Sequence, residues 1–240
     1  MKSTILSFLL LAAAGFSASA TTISQWTFEV NTPASLNNST TSPSVGADVG
    51  SGTASGLHAS AATDWSTPDG NGSANSFSAN SWAAGDYFQF SLSAAGYADI
   101  KISFDQTSSG TGPGRFNFDY STDGSSFATF AANYTVLPNA TPNTPWNSTA
   151  RDSLYTFEFD LSSLTSLDNA QKVYFRFVDI STTSANGGTV AGGGTSRIDN
   201  FTVSGTELAN VPDSSPGWLG FGAVAAVVVL GWRRSEPKSI

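Results

Sequence analysis

A two-residue alternation of large apolar and polar side chains runs through the middle of this chain, and it constrains the fold more than any other feature. Ile100, Ile102 and Phe104 alternate with polar neighbours, and so do Phe116 and Phe118. Strands buried on one face carry this pattern, because successive side chains point to opposite faces of a sheet. The pattern recurs in segments 24–30, 87–92, 155–161, 173–178 and 197–203.

These short segments predict an all-β fold, an antiparallel β-sandwich of the jelly-roll-like kind. The polar turn at 121–125 contains Gly124 and predicts a hairpin between the strands on either side. Segment 31–80 is rich in small polar residues, and we expect long loops with short edge strands there. The residues expected inside the sandwich are Phe88, Phe90, Ile100, Ile102, Phe104, Phe116, Phe118, Phe157, Phe159, Phe175 and Phe177.

The composition excludes several function classes. The chain has 18 acidic and 10 basic residues, a formal charge of −8, one histidine and no cysteine. An acidic surface argues against nucleic-acid binding, which needs a basic patch. Without cysteine there is no disulfide framework, zinc finger, iron–sulfur cluster or thiol nucleophile. Only 12% of the residues are charged, so the surface is built of uncharged polar residues, which suits an exported protein.

The first twenty residues have the pattern of a secretory signal peptide. Lys2 precedes an apolar run at 5–16, and Ala18, Ser19 and Ala20 are the small residues that signal peptidase accepts at its cleavage site. We therefore expect signal peptidase as a partner, a signal peptide at 1–20 and a mature chain that starts near Thr21.

The C-terminal end has the pattern of a single transmembrane helix. Residues 217–232 are uncharged, Trp218 and Trp232 flank the run, and Arg233 and Arg234 follow at once. A helix of this length covers about 24 Å, enough for a thin or compressed bilayer. Aromatic residues anchor such a helix at the interfaces, and the basic pair places the C-terminus in the cytoplasm. The alternative is a buried hydrophobic helix.

The motif before this span resembles the PEP-CTERM class of sorting signals in its VPDSG-type variant. Val211, Pro212, Asp213 and Ser214 match the variant, whereas Ser215 stands where it usually has glycine. The resemblance implies processing by a membrane protease of the exosortase kind on the way to the cell surface. It divides the chain into a signal peptide at 1–20, an ectodomain at 21–210 and a sorting signal with motif 211–215, helix 216–232 and tail 233–240.

Three strings in the ectodomain resemble known β-sandwiches. QWTFE at 25–29, YSTDG at 120–124 and RIDNF at 197–201 look like the ectodomains that often precede such signals. They are similar, more loosely, to carbohydrate-binding jelly rolls. An extracellular polysaccharide is therefore a candidate partner.

Catalysis finds little support in the sequence. His58 is expected to be a surface loop residue, and no Gly-x-Ser-x-Gly elbow accompanies it. Paired carboxylates for glycoside hydrolysis would include Glu158, but its alternation places it on the outer face of a strand, away from an apolar niche. We therefore expect a protein that is not an enzyme.

Two kinds of binding site remain open. Glu29 and Asp199 are candidate ligands of a structural Ca²⁺, because jelly rolls commonly bring the first and last strands together; the alternative is pairing with Arg197 or capping of a loop. Sugars stack on exposed rings, so Trp65, Trp82, Tyr134 and Trp146, all in predicted loops, are candidate glycan contacts. The alternative is that each ring packs a loop onto the sandwich.

Three function classes follow from these patterns. The first is a non-enzymatic cell-surface or extracellular-matrix protein. Its C-terminal helix would anchor it in the inner membrane, either permanently or only until it is passed on to the cell surface. The second is a carbohydrate-binding module. The third is a secreted glycoside hydrolase.

Overall fold

The alternating segments fold as antiparallel strands in two sheets, numbered here in chain order. The computed structural model describes residues 20–209. Sheet I contains β1 (Ala20–Trp26), β3 (Val49–Gly50), β5 (Trp65–Ser66), β6 (Phe77–Ala79), β8 (Tyr97–Ser108), β11 (Thr156–Asp160) and β13 (Ser196–Glu207). Sheet II contains β2 (Val45–Gly46), β4 (Thr53–Leu57), β7 (Tyr87–Leu92), β9 (Arg115–Ser121), β10 (Ala128–Thr135) and β12 (Val173–Asp179). The helical turns of residues 20–209 are two short 3₁₀ turns, Ser153–Tyr155 and Thr165–Leu167.

The strand order shows an all-β sandwich. Sheet I runs β11-β8-β13-β1-β3, with β6 also paired to β13 and β5 to β6, and sheet II runs β10-β9-β12-β7-β4-β2. Every strand pairing is antiparallel. The chain crosses repeatedly from one sheet to the other, as between β7, β8 and β9, so the two sheets close on one core.

Aromatic rings from both sheets meet in that core. Phe104 of β8 lies 4.5 Å from Phe177 of β12 between ring centroids, and Phe90 of β7 lies 4.0 Å from Phe201 of β13. All the residues expected inside are buried except Phe157 and Phe159, which are half-buried. Both lie on β11, an edge strand, which has a neighbour on one side only. The phase of the strands is therefore confirmed.

Several expected boundaries are confirmed and one is wrong. The 121–125 turn joins β9 to β10, with Ala128 opposite Tyr120, and segment 31–80 holds only short strands. The first strand, expected over 24–30, ends at Trp26 because Phe28 takes a positive φ of 60° and turns the chain out of the sheet. Val30, the last residue of that expected strand, is 77% exposed.

The two ends of the chain lie outside the described residues. These are the predicted signal peptide up to residue 19, the sorting motif (Val211, Pro212, Asp213 and Ser214) and the predicted span with Trp218, Trp232, Arg233 and Arg234. Within residues 20–209 no helix is long and apolar enough to cross a membrane.

Candidate functional site

The rings predicted to contact glycan are packed into the sandwich. Trp65, Trp82 and Trp146 expose 0%, 6% and 4% of their surface, and Tyr134 is half-buried with its hydroxyl donating to Gln106 Oε1 at 2.7 Å. The indole N–H groups of the three tryptophans donate to backbone carbonyls at 2.7 to 2.9 Å. None of the three offers an open ring face to a sugar. The glycan prediction is therefore wrong for these three residues, and the packing alternative holds.

His58 lies in the interior rather than on the surface, so that expectation is wrong too. Its ring sits between Trp65 and Trp82, with centroid distances of 4.7 and 4.2 Å. Burial lowers the pKa of His58 to about 4 and raises that of Asp86. The Thr63 hydroxyl and the Asp86 carboxylate both lie against the same nitrogen, Nδ1, at 3.2 and 3.6 Å. A catalytic triad needs them on different ring nitrogens, so this cluster is not one.

The predicted calcium ligands hold the same loop, 71–75, from two sides. Asp199 is fully buried in β13 and accepts hydrogen bonds from the Asn71 backbone N–H at 2.9 Å and the Ser73 hydroxyl at 2.7 Å. Glu29 accepts from the backbone N–H of Asn75 at 2.7 Å. Calcium takes about six to eight oxygen ligands, and nowhere in residues 20–209 do three acidic or histidine side chains converge. The calcium site stays a prediction.

An ion pair with a buried carboxylate lies next to Asp199 in sheet I. Asp105, opposite Asp199 in the register of β8 and β13, is fully buried and receives two hydrogen bonds from the guanidinium of Arg151 at 2.7 and 2.8 Å. The Thr156 hydroxyl and the Asn200 amide also donate to it. Side chains of this chain therefore supply all four hydrogen bonds to Asp105, which has no contact with solvent. The cluster fixes Arg151 and Thr156 to sheet I.

The outer face of sheet I carries a shallow polar groove. Lys101 and Asp160 form an ion pair of 3.1 Å, and Glu158 lies exposed beside them. Hydrogen bonds from Ser162, with a further contribution from Lys101, lower the pKa of Asp160 to about 2. A general acid for glycoside hydrolysis needs a raised pKa, so Asp160 does not suit that role.

The outer face of sheet II combines aromatic and planar polar side chains. Because Phe88, Phe90, Phe175 and Phe177 point inward, their neighbours along β7 and β12 point outward. The register places these neighbours in rows across β9, β12 and β7. We call this surface the sheet II face; its members are Asn117, Asp119, Tyr174, Arg176, Tyr87 and Gln89, with Phe127 from the turn after β9.

Arg176 is held at the centre of the sheet II face by two rings. Its guanidinium carbon lies 4.0 Å from the ring centroid of Tyr87 and 3.7 Å from that of Phe127. Tyr87 comes from β7 and Phe127 from the turn after β9, strands that flank β12 on opposite sides. Cation–π contact of this kind fixes the plane of the guanidinium. Burial lowers the pKa of Arg176, but the group stays charged at neutral pH.

Sequence reasoning missed the sheet II face, although a signal for it was present. The alternation that assigned Phe88, Phe90, Phe175 and Phe177 to the core also assigns Tyr87, Gln89, Tyr174 and Arg176 to the outside. The sequence analysis placed its candidate rings in loops, whereas Trp65 lies in β5 and Tyr134 in β10, and it did not consider the outer positions of strands.

Comparison with known proteins shows likeness only among solved structures. No family model matches the chain, and no curated protein matches it. The xylan-binding CBM22-2 domain from Paenibacillus barcinonensis is 13% identical, over 76% of this chain and 98% of that one, with a TM-score of 0.40. The K3 cleaved adhesin domain of Lys-gingipain from Porphyromonas gingivalis is 13% identical over the same shares, with a TM-score of 0.39. TmCBM61, solved with β-1,4-galactotriose, is 10% identical over 62% of this chain and 85% of that one, with a TM-score of 0.35.

Proposed function

We propose that this chain is an exported, non-enzymatic surface protein whose β-sandwich binds carbohydrate on the sheet II face. The observation that carries the proposal is the row of partly exposed aromatic rings, amides and a guanidinium on three adjacent strands. Sugar rings pack their apolar faces on aromatic rings, and planar polar side chains hydrogen-bond their hydroxyls. The sheet II face supplies both kinds of group on one rigid element.

The location of the protein is a second part of the proposal, and sequence features of the two ends support it. The signal peptide pattern at 1–20 favours export followed by cleavage by signal peptidase, and the PEP-CTERM-like tail at 211–240 favours anchoring and processing by an exosortase-type protease. We class the sandwich between them as jelly-roll-like, because most consecutive strands from β6 to β13 lie in opposite sheets.

The non-enzymatic part of the proposal is supported by where the titratable groups lie. Burial raises the pKa of both Asp179 and Asp199 to about 7, the range of a general acid, but both side chains are fully buried. A catalytic acid must reach its substrate. Within residues 20–209, the groups with suitable pKa values are therefore closed off, and the exposed Asp160 has a lowered one.

A comparison of the two outer faces tests carbohydrate binding. The full-length protein, purified in detergent, is screened by affinity electrophoresis against immobilised neutral and acidic polysaccharides. Tyr87→Ala removes a ring from the sheet II face, and we expect it to weaken binding about tenfold. Glu158→Ala is the matched control, an outward strand residue of sheet I, and we expect it to bind as the wild type does.

Two results would contradict the proposal. Retention by no polysaccharide would leave the sandwich as a structural or adhesive module without a glycan ligand. Loss of binding in Glu158→Ala with no change in Tyr87→Ala would move the site to the groove of sheet I.

A further inference from the structure

The free hydrogen-bonding groups that the amides and the guanidinium of the sheet II face offer are donors. Gln89 uses its Oε1 to accept from Arg176 Nε at 2.8 Å, and Asn117 uses its Oδ1 to accept from the Asn133 backbone N–H at 2.8 Å. This leaves Gln89 Nε2, Asn117 Nδ2 and the two Nη atoms of Arg176 without a partner among residues 20–209, and none of these atoms is buried. The face therefore presents N–H groups, which favour a ligand rich in acceptor oxygens.

The basic side chains of the two sheets differ in whether they form ion pairs. On the outer side of sheet I, Lys101 and Arg151 are both ion-paired, at 3.1 and 2.7 Å. On sheet II, Arg115, Lys172 and Arg176 have no carboxylate within 4 Å among the described residues. Lys172 lies over the ring of Tyr174, at 5.7 Å. Arg197 of β13, in sheet I, is also unpaired, so three of the four unpaired cations of residues 20–209 lie on sheet II.

The carboxylate of Asp119 lies on the same face as these basic residues. Asp119 lies directly opposite Arg176 in the register of β9 and β12, but forms no ion pair with it. Its Oδ1 is buried and has no partner. Asp119 therefore offsets part of the charge of Arg176 without occupying the outer edge of the guanidinium.

We propose that Arg176 binds the carboxylate of a uronic acid unit, so that the glycan held on the sheet II face is an acidic one. This inference rests on the proposed carbohydrate-binding function and adds its substrate class. Tyr87 and Phe127 pack against the guanidinium, its Nε donates to Gln89, and its two Nη atoms are neither buried nor partnered among residues 20–209. A carboxylate fits two parallel N–H groups, and a pair of this kind is stronger than a hydrogen bond between neutral groups.

The test uses one glycan in two charge states. Oligosaccharides of polygalacturonic acid are compared with the same oligosaccharides after methyl esterification, which removes the charge and keeps the sugar. Binding to the full-length protein is measured by isothermal titration calorimetry at low and at physiological salt. We expect the acid form to bind at least tenfold more tightly, and the difference to shrink as salt rises.

Two variants assign the effect to the guanidinium. Arg176→Gln should bring the affinities for the acid and the ester to the same value. Asp119→Asn removes the opposing charge and should increase the preference for the acid severalfold. This gain keeps the test valid if Arg176→Gln proves unstable.

The outcomes separate this inference from the function on which it rests. If neither form binds and no other glycan does, carbohydrate binding itself is wrong. If both forms bind equally, the sheet II face binds glycan but Arg176 does not select a carboxylate. A preference for the acid that survives in Arg176→Gln also overturns the inference.

Discussion

Replacement of Arg151 leaves the buried Asp105 carboxylate without its cation. The contacts around Asp105 determine how much folding stability is lost. Asp105 is fully buried and loses two of its four hydrogen bonds, while those from Thr156 and Asn200 remain. Breaking a fully buried ion pair from one side costs about 3–5 kcal/mol. The Arg151 side chain is 50% exposed, so water enters the vacated space and lowers the penalty. We expect Arg151→Ala to cost about 2–3 kcal/mol.

Urea unfolding followed by tryptophan fluorescence measures this cost. For a slope of about 2–3 kcal/mol per molar, the midpoint of Arg151→Ala should fall by about 1 M. Lys101→Ala is the matched control, because it breaks an ion pair whose two side chains are 51% and 56% exposed. Such pairs contribute about 0–1 kcal/mol.

If Arg151→Ala loses no more stability than Lys101→Ala, the cation is not what holds Asp105 in place.

Four further results are expected. Phe90→Ala should cost about 3–5 kcal/mol in urea unfolding, whereas Val30→Ala should lie within about 0.5 kcal/mol of the wild type. Burial raises the pKa of Asp179 to about 7, so the folded state favours its neutral form; stability should fall as the pH rises from about 4 to 7, and Asp179→Asn should flatten that fall. If calcium binds the native state, the melting temperature rises when it is added, and equal melts in calcium and in chelator exclude the site. Changing Pro212 and Asp213 to Ala should leave export intact and block maturation, and mass spectrometry of the surface fraction would contradict this if wild-type protein retained its tail through residue 240.

The alternation predicted the sheets well because it depends on one local rule. A side chain such as Phe175 points inward because its neighbours point outward, and this holds whatever the strand order is. The alternation did not hold as far as Val30, because the chain leaves the strand at Phe28, whose positive φ is rare for an aromatic residue.

The candidate site depends on contacts that no local pattern contains. Arg176 meets Phe127 only because β12 lies between β7 and β9, an order set by the whole fold. The backbone of Trp65 pairs with that of Leu36 and its indole N–H donates to the Ser39 carbonyl, so a segment distant in sequence packs against this residue. Sequence reasoning could list the exposed positions of each strand but could not combine those of three strands into one surface.

The pairing of the first and last strands brings the two ends of the sandwich to one point. Ala20 lies opposite Thr206 on neighbouring antiparallel strands. A peptide of a few residues would therefore join position 20 to position 207 and give a circular backbone with the same sheets. Cyclisation restricts the unfolded chain and not the folded one, and for a loop of this length chain entropy predicts a gain of about 5 kcal/mol. The same proximity allows new ends to be opened at an exposed turn such as 121–125, giving a permuted chain that folds to the same sandwich.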